Sequence, residues 1–134
     1  MITICHFSDW HGRQIKLPWA ELYLCTGDMI ANGPACMFDA EEEGRMQAQW
    51  IRENPLTPLV GNPAAPLLCL RGNHDYTDLA PYFPGMDVHE FHEPGETIER
   101  LGLKIGGCRG IQRIDKSERG SAFWQDEYWL AELD

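Results

Sequence analysis

Asp9 and His11, Asp28, and the run Asn73-His74-Asp75 stand out as residues of this sequence whose side chains could hold a metal ion or move a proton together. They supply carboxylates, imidazoles and an amide oxygen. Donors of this kind suit harder and borderline divalent ions such as Mn, Fe, Zn, Ni or Mg. No cysteine lies in these stretches, which argues against a structural thiolate site. One carboxylate can bridge two ions, and two ions roughly 3.5–4 Å apart clamp an in-line phosphoryl displacement. Taken alone, an Asp-x-His or a Gly-Asp says little, and Gly-Asn and His-Asp are ordinary turn pairs. What matters is that each stretch follows an apolar run in the same way.

The elements that position them read as strands. Ile2 to Phe7 is β-prone and ends at Ser8-Asp9-Trp10-His11-Gly12. Glu21 to Cys25 leads into Thr26-Gly27-Asp28, and Pro66 to Leu70 leads into Arg71-Gly72-Asn73-His74-Asp75. The segment Arg13–Ala20 has room for no more than a short helical turn. A helix is predicted over 39–53, with Asp39 as N-cap and Glu42 closing a capping box. Its Glu41-Glu42-Glu43 triplet reads as a solvated helix start favoured by the dipole, and Met46, Trp50 and Ile51 as its buried stripe. Asn54-Pro55 stops it. Residues 54–66, with four prolines, form an irregular connection.

Further strands are expected over 86–91 and in a hairpin, 96–100 and 103–107, around Leu101-Gly102. A helical turn is expected within 78–83 and a helix within 121–133. The alternation predicts an α/β fold, a mixed and largely parallel sheet with flanking helices. In a parallel sheet the carboxyl ends of the strands share one edge, where ligands bind. Three turns on that edge would bring Asp9, His11, Asp28, Asn73 and His74 together.

The chain has 134 residues, which suits a single domain, 1–134, with a real core. Its hydrophobic fraction of 43% is that of a globular protein. The N-terminus lacks the pattern of a signal peptide, and no apolar run is long enough to span a membrane. Five scattered cysteines without a CxxC argue against a disulfide framework and for a reducing, cytoplasmic setting. A net charge of −10 disfavours non-specific nucleic-acid binding, but does not exclude a phosphate substrate, because bound cations invert the local field.

The ordered set Asp9-x-His11, Gly27-Asp28 and Gly72-Asn73-His74-Asp75 resembles the N-terminal half of the calcineurin-like metallophosphoesterase family. Leu103-Lys104-Ile105-Gly106-Gly107 is also similar to a mid-fold strand of that family. The resemblance implies the first half of a four-layer α/β/β/α sandwich and a metal-dependent hydrolase of phosphomonoesters or phosphodiesters. It implies that Asp9 and His11 bind one ion, that Asp28 bridges two, and that Asn73 binds the second. It further implies that His74 protonates the leaving oxygen or stabilises charge there, that Asp75 orients the His74 ring, and that a metal-activated hydroxide attacks.

The family's later ligands, a histidine at a later strand end and a Gly-His-x-His pair, have no counterpart here. His89 and His92 read as ordinary surface or half-buried residues. The second ion is therefore expected to bind weakly, and half a sandwich is expected to leave an apolar sheet face open. Self-association or a completing partner would cover it. The alternative function is a non-catalytic or partner-dependent truncated homologue that binds metal without turnover. Among the remaining polar residues, Asn32 reads as a turn residue, Trp10 as a wall of the site, His6 as a strand residue, and Arg71 and Arg109 as surface ion-pair partners.

Overall fold

The computed structural model describes residues 1–37, 39–93 and 95–107. Four strands, β1 (Ile4–Phe7), β2 (Leu22–Cys25), β3 (Leu67–Cys69) and β4 (Val88–Glu90), form one parallel sheet in the order β1-β2-β3-β4. Phe7 pairs with Cys25, Cys25 with Cys69 and Cys69 with Glu90. The last residues of all four strands thus lie in one row, and the turns that follow them share an edge. The predicted strands are present, each shortened by one to three residues at its ends. The segment between β1 and β2 is irregular, its Leu17 making a single parallel bridge to Val60.

Helix α1 (Ala40–Glu53) follows β2. Asp39 caps it, its Oδ1 accepting from the Glu42 amide at 3.0 Å. Asn54 ends it by donating from its amide to Trp50 and Ile51 carbonyls. The buried face differs from the predicted stripe. Glu43, Gln47 and Ile51 are buried, whereas Met46 is 40% exposed. The helix therefore turns a polar pair inward, for reasons that belong to the site.

Side chains alternate across β2, as a pleated strand requires. Tyr23 and Cys25 face the principal core with Ile51, Leu56, Leu67, Cys69 and Tyr82. Leu22 faces the other side, where it clusters with Leu68 and Phe91. An antiparallel hairpin, β5 (Thr97–Arg100) and β6 (Leu103–Gly106), packs Ile98, Leu103 and Ile105 onto that second cluster. This corrects the expectation of an open face, since Leu22 is 0% and Leu68 2% exposed. The two-stranded flap packs onto the sheet's centre.

The expected helical turn is a short 3₁₀ segment, Ala80–Tyr82. The helix expected within 121–133 lies outside the described residues. No helix among the described residues is long and apolar enough to cross a membrane. Cys25 and Cys69 are buried in strands, and burial pushes both thiols far above the ordinary range. They are core residues and not nucleophiles. Replacing Asp39 with Ala removes the cap of α1, and equilibrium urea unfolding should show a loss of about 1 kcal/mol.

Candidate metal centre

Each candidate ligand is set by a backbone that leaves its strand in an unusual conformation. Asp9, His11 and Asp28 have φ of 59°, 46° and 54°, in the left-handed region that non-glycine residues rarely occupy. Such conformations cost on the order of 1–3 kcal/mol each and persist only where surrounding structure enforces them. Here the enforcement is a lacing of turn to turn. Asp9 donates to the Gly27 carbonyl at 3.0 Å, His11 to the Asp28 carbonyl at 3.0 Å, and Gly12 to the Met29 carbonyl at 2.9 Å.

The third turn is joined by close packing and by one buried carboxylate. A Cβ on Gly27 would lie 2.1 Å from the Gly72 amide nitrogen, and one on Gly72 would lie 2.1 Å from Asp28 Oδ1. The two turns can approach only because both positions are glycine. Asp75 is 0% exposed. Its Oδ2 accepts from the Asp28 amide at 2.6 Å and the Gly72 amide at 2.9 Å. Its Oδ1 accepts from Met29 at 3.0 Å and Ile30 at 3.4 Å. Burial pushes the Asp75 carboxyl up to about 6, while the Gly72 and Asp28 amides pull the other way.

The result is a convergence. Asp9, His11 and Asp28 each offer a ligand atom, and these atoms lie within 4.8 Å of one another. Asp9 and His11 are exposed and Asp28 is half-buried, so the group opens to solvent. Ser8 donates its hydroxyl to Asp9 Oδ2, fixing that carboxylate. The His74 amide donates to Asp28 Oδ1 at 2.9 Å, which brings the Asn73-His74 backbone to the same carboxylate. The His11 and His74 rings stand edge to face with centroids 5.0 Å apart. Two carboxylates and an imidazole at this separation, held by a strained backbone, fit a divalent cation.

His74 is held by residues that local sequence patterns did not single out. Its Nδ1 meets Asn32 Oδ1, and Asn32 Nδ2 donates to the His74 carbonyl at 3.1 Å. The second bond fixes which end of the amide is which. An amide oxygen only accepts, so Nδ1 carries the proton and, in the neutral ring, Nε2 is the basic nitrogen. Burial lowers the His74 pKa and neighbouring His11 acts in the same direction, while Asp28 and Asp9 oppose them.

Gln47 on α1 donates to the same His74 carbonyl at 2.8 Å and accepts from the Tyr76 amide at 2.8 Å. Glu43, one turn earlier, accepts from the Gly33 amide at 2.6 Å. The inward polar pair of α1 therefore grips both the β2 and β3 turns. Asn32 meets the His74 ring. One reading is corrected: Glu43 is buried, not solvated. One local signal pointed this way: Gly44 weakens a helix interior, and a Cβ there would lie 2.6 Å from the Tyr76 carbonyl.

The other candidates take simpler places. Trp10 is 7% exposed and packs on Phe7, with ring centroids 5.2 Å apart, so it belongs to the core beneath the site. His6 Nε2 meets the Thr26 hydroxyl at 2.8 Å. Arg71 faces Glu90 with 3.9 Å between Nε and Oε1, and His89 pairs with Glu96. Asp78, Glu90 and His92 form a second group with ligand atoms within 4.8 Å. Glu90, however, already accepts from the Leu79 and Ala80 amides at 2.9 Å each, which makes it a cap for the 3₁₀ turn. Arg109 lies outside the described residues.

A family model described as calcineurin-like phosphoesterase matches residues 2–132. Neither a curated protein nor a solved structure matches the chain.

Exchanging Asp75 for Asn turns an amide NH₂ toward backbone donors and leaves at least one of them unpaired. Urea unfolding should register a loss of roughly 2 kcal/mol or more. Calorimetric titration with Mn should show weaker binding than wild type, although no proposed ligand has changed.

Proposed function

The chain belongs to the calcineurin-like phosphoesterase family, and from that footing we propose that it hydrolyses a phosphate ester with the help of divalent metal. The observation that carries the reading is the convergence of Asp9, His11 and Asp28 ligand atoms within 4.8 Å. These three would hold one ion, and Asp28 with Asn73 would hold a second, weaker one. Ions bound there would supply Lewis-acid activation of water and neutralise charge on the phosphate.

The chain's own residues would do the rest. His74 would move a proton at Nε2, beside the ester oxygen, while Asn32 fixes Nδ1 and the ring plane. Positioned acid–base help of this kind is typically worth about 10²–10⁴-fold. Asp75 would act as a positioning residue that keeps the β2 and β3 turns in register. The edge-to-face contact with His11 would set the distance between the proton-moving ring and the metal ligands.

A second reading is a metal-holding domain without turnover. It draws on the imbalance of the donor set, three side chains for the first ion and two for the second.

The two readings separate in one assay series. Purified protein with Mn is offered bis(p-nitrophenyl) phosphate and p-nitrophenyl phosphate. Turnover is expected for at least one ester, with Asp28→Ala and His11→Ala falling to background. His74→Ala should lose about 10²–10⁴-fold in kcat while still binding Mn. Chelation should abolish the rate and added Mn restore it. Tight binding of one ion per chain with no turnover of either ester would establish the second reading instead.

A further inference from the structure

We propose that a cleft beside His74 is a subsite for a protonated amine carried on the alcohol part of the phosphate ester. The proposal rests on the phosphoesterase reading for its reaction, but not for its binding. The cleft lies between α1 and the loop after β2, has a volume of about 190 Å³, and is lined in part by Asn32, Gly33, Glu43, Met46 and Trp50. Asn32 also meets Nδ1 of His74, so the cleft adjoins the proton-moving ring.

The feature that needs a ligand is Glu43. It is 0% exposed, and its Oε1 is occupied by the Gly33 amide at 2.6 Å and Gln47 Nε2 at 3.4 Å. Its Oε2 is buried without a hydrogen-bond partner among the described residues. No Lys, Arg or His pairs with it among the described residues. A carboxylate oxygen held this way carries the full penalty of lost hydration. Each such group in a native fold calls for an explanation, an absent ion among them. Here the surroundings provide a cradle. A Cβ on Gly33 would lie 3.2 Å from Oε2 and 3.5 Å from Met46 Cε. Glycine leaves that space open. Met46 is unbranched and 40% exposed, so its terminal methyl can swing away from Oε2.

The chemistry of the walls selects the ligand. A single free anionic oxygen suits one strong donor, and a cation also neutralises the buried charge. A planar base edge would need a second polar partner, and Oε1 is already committed. Trp50, braced edge-on by Tyr82 with centroids 5.6 Å apart, adds an aromatic surface that attracts cations. The volume lies below the roughly 300–1,000 Å³ of sites for drug-sized ligands, which limits the occupant to a small aminoalkyl group. In the reaction, water oxygen bonds to phosphorus, the P–O bond to the aminoalcohol breaks, and the alcohol leaves with a proton.

Binding is tested apart from turnover. ¹⁵N-labelled protein is titrated with ethanolammonium chloride and, separately, with 1-propanol, its neutral counterpart of similar shape. Ethanolammonium should shift the Gly33 amide and the Trp50 indole in a saturable way, and 1-propanol should bind at least about tenfold more weakly. Glu43→Gln should weaken ethanolammonium by about tenfold or more. Should that variant fail to fold, Gly33→Ala keeps the carboxylate and fills the cleft, with the same expected loss. Equal binding of both ligands, or shifts scattered over the acidic surface and unchanged in either variant, would overturn the subsite.

With Mn, methyl 2-aminoethyl phosphate should then exceed methyl propyl phosphate in kcat/KM by about tenfold. Binding without hydrolysis of any ester keeps the subsite and removes the phosphoesterase reading. Hydrolysis of aryl esters without amine binding removes the subsite alone.

Discussion

The buried carboxylate of Asp75 is the joint on which the site depends. It accepts from four backbone amides, three from the β2 turn and one from its own turn at Gly72. Parallel strands give these turns a common edge, but a common edge does not fix their separation. The carboxylate does, because its two oxygens reach donors on both sides at once. Burial raises the cost of leaving any of those amides unpaired. The joint is strong for the same reason that it is buried.

Around this joint the backbone is forced into conformations that local preference opposes. Three of the four non-glycine residues with positive φ among those described are Asp9, His11 and Asp28. Their strain is offset by the amide-to-carbonyl bonds that lace the β1 turn to the β2 turn. Gly27 and Gly72 let the β2 and β3 turns touch backbone to backbone. A side chain at either place would push Asp28 away from its neighbours. The strained backbone and the close glycines thus serve one end, aiming carboxylates and imidazole at a common point in advance of any ligand.

Helix α1 completes the frame from one side. A surface helix ordinarily buries an apolar stripe, and Met46 would ordinarily belong to it. Here Glu43 and Gln47 turn inward because the turns they face present backbone groups to them, the Gly33 and Tyr76 amides and the His74 carbonyl. Satisfying those groups outweighs burying a methionine. The hairpin β5–β6 does the complementary work on the far side of the sheet, where apolar contact with Leu22, Leu68 and Phe91 is joined by the Arg100–Asp87 and His89–Glu96 pairs.

The sequence by itself determined the alternation of elements, the cap of α1, the hairpin and the placing of Asp9, His11, Asp28 and Asn73-His74 directly after strands. These are local matters, decided by periodicity, capping chemistry and turn residues within a few positions of one another. The register then aligns Phe7 with Cys25, and Cys25 with Cys69. What only the tertiary structure decided are the long-range partnerships. Asp75 reaches Met29, 46 residues away, and Asn32 reaches His74, 42 residues away. Glu43 in a run of three glutamates looks like a solvated helix start, and Asn32 before Gly33 looks like a turn. Beyond Gly44 beside Glu43, nothing within reach of either residue along the chain hints at what lies opposite, and Gly44 does not show which backbone groups those are. That depends on how far two turns can approach, which Gly27 and Gly72 permit and which only packing in three dimensions brings about.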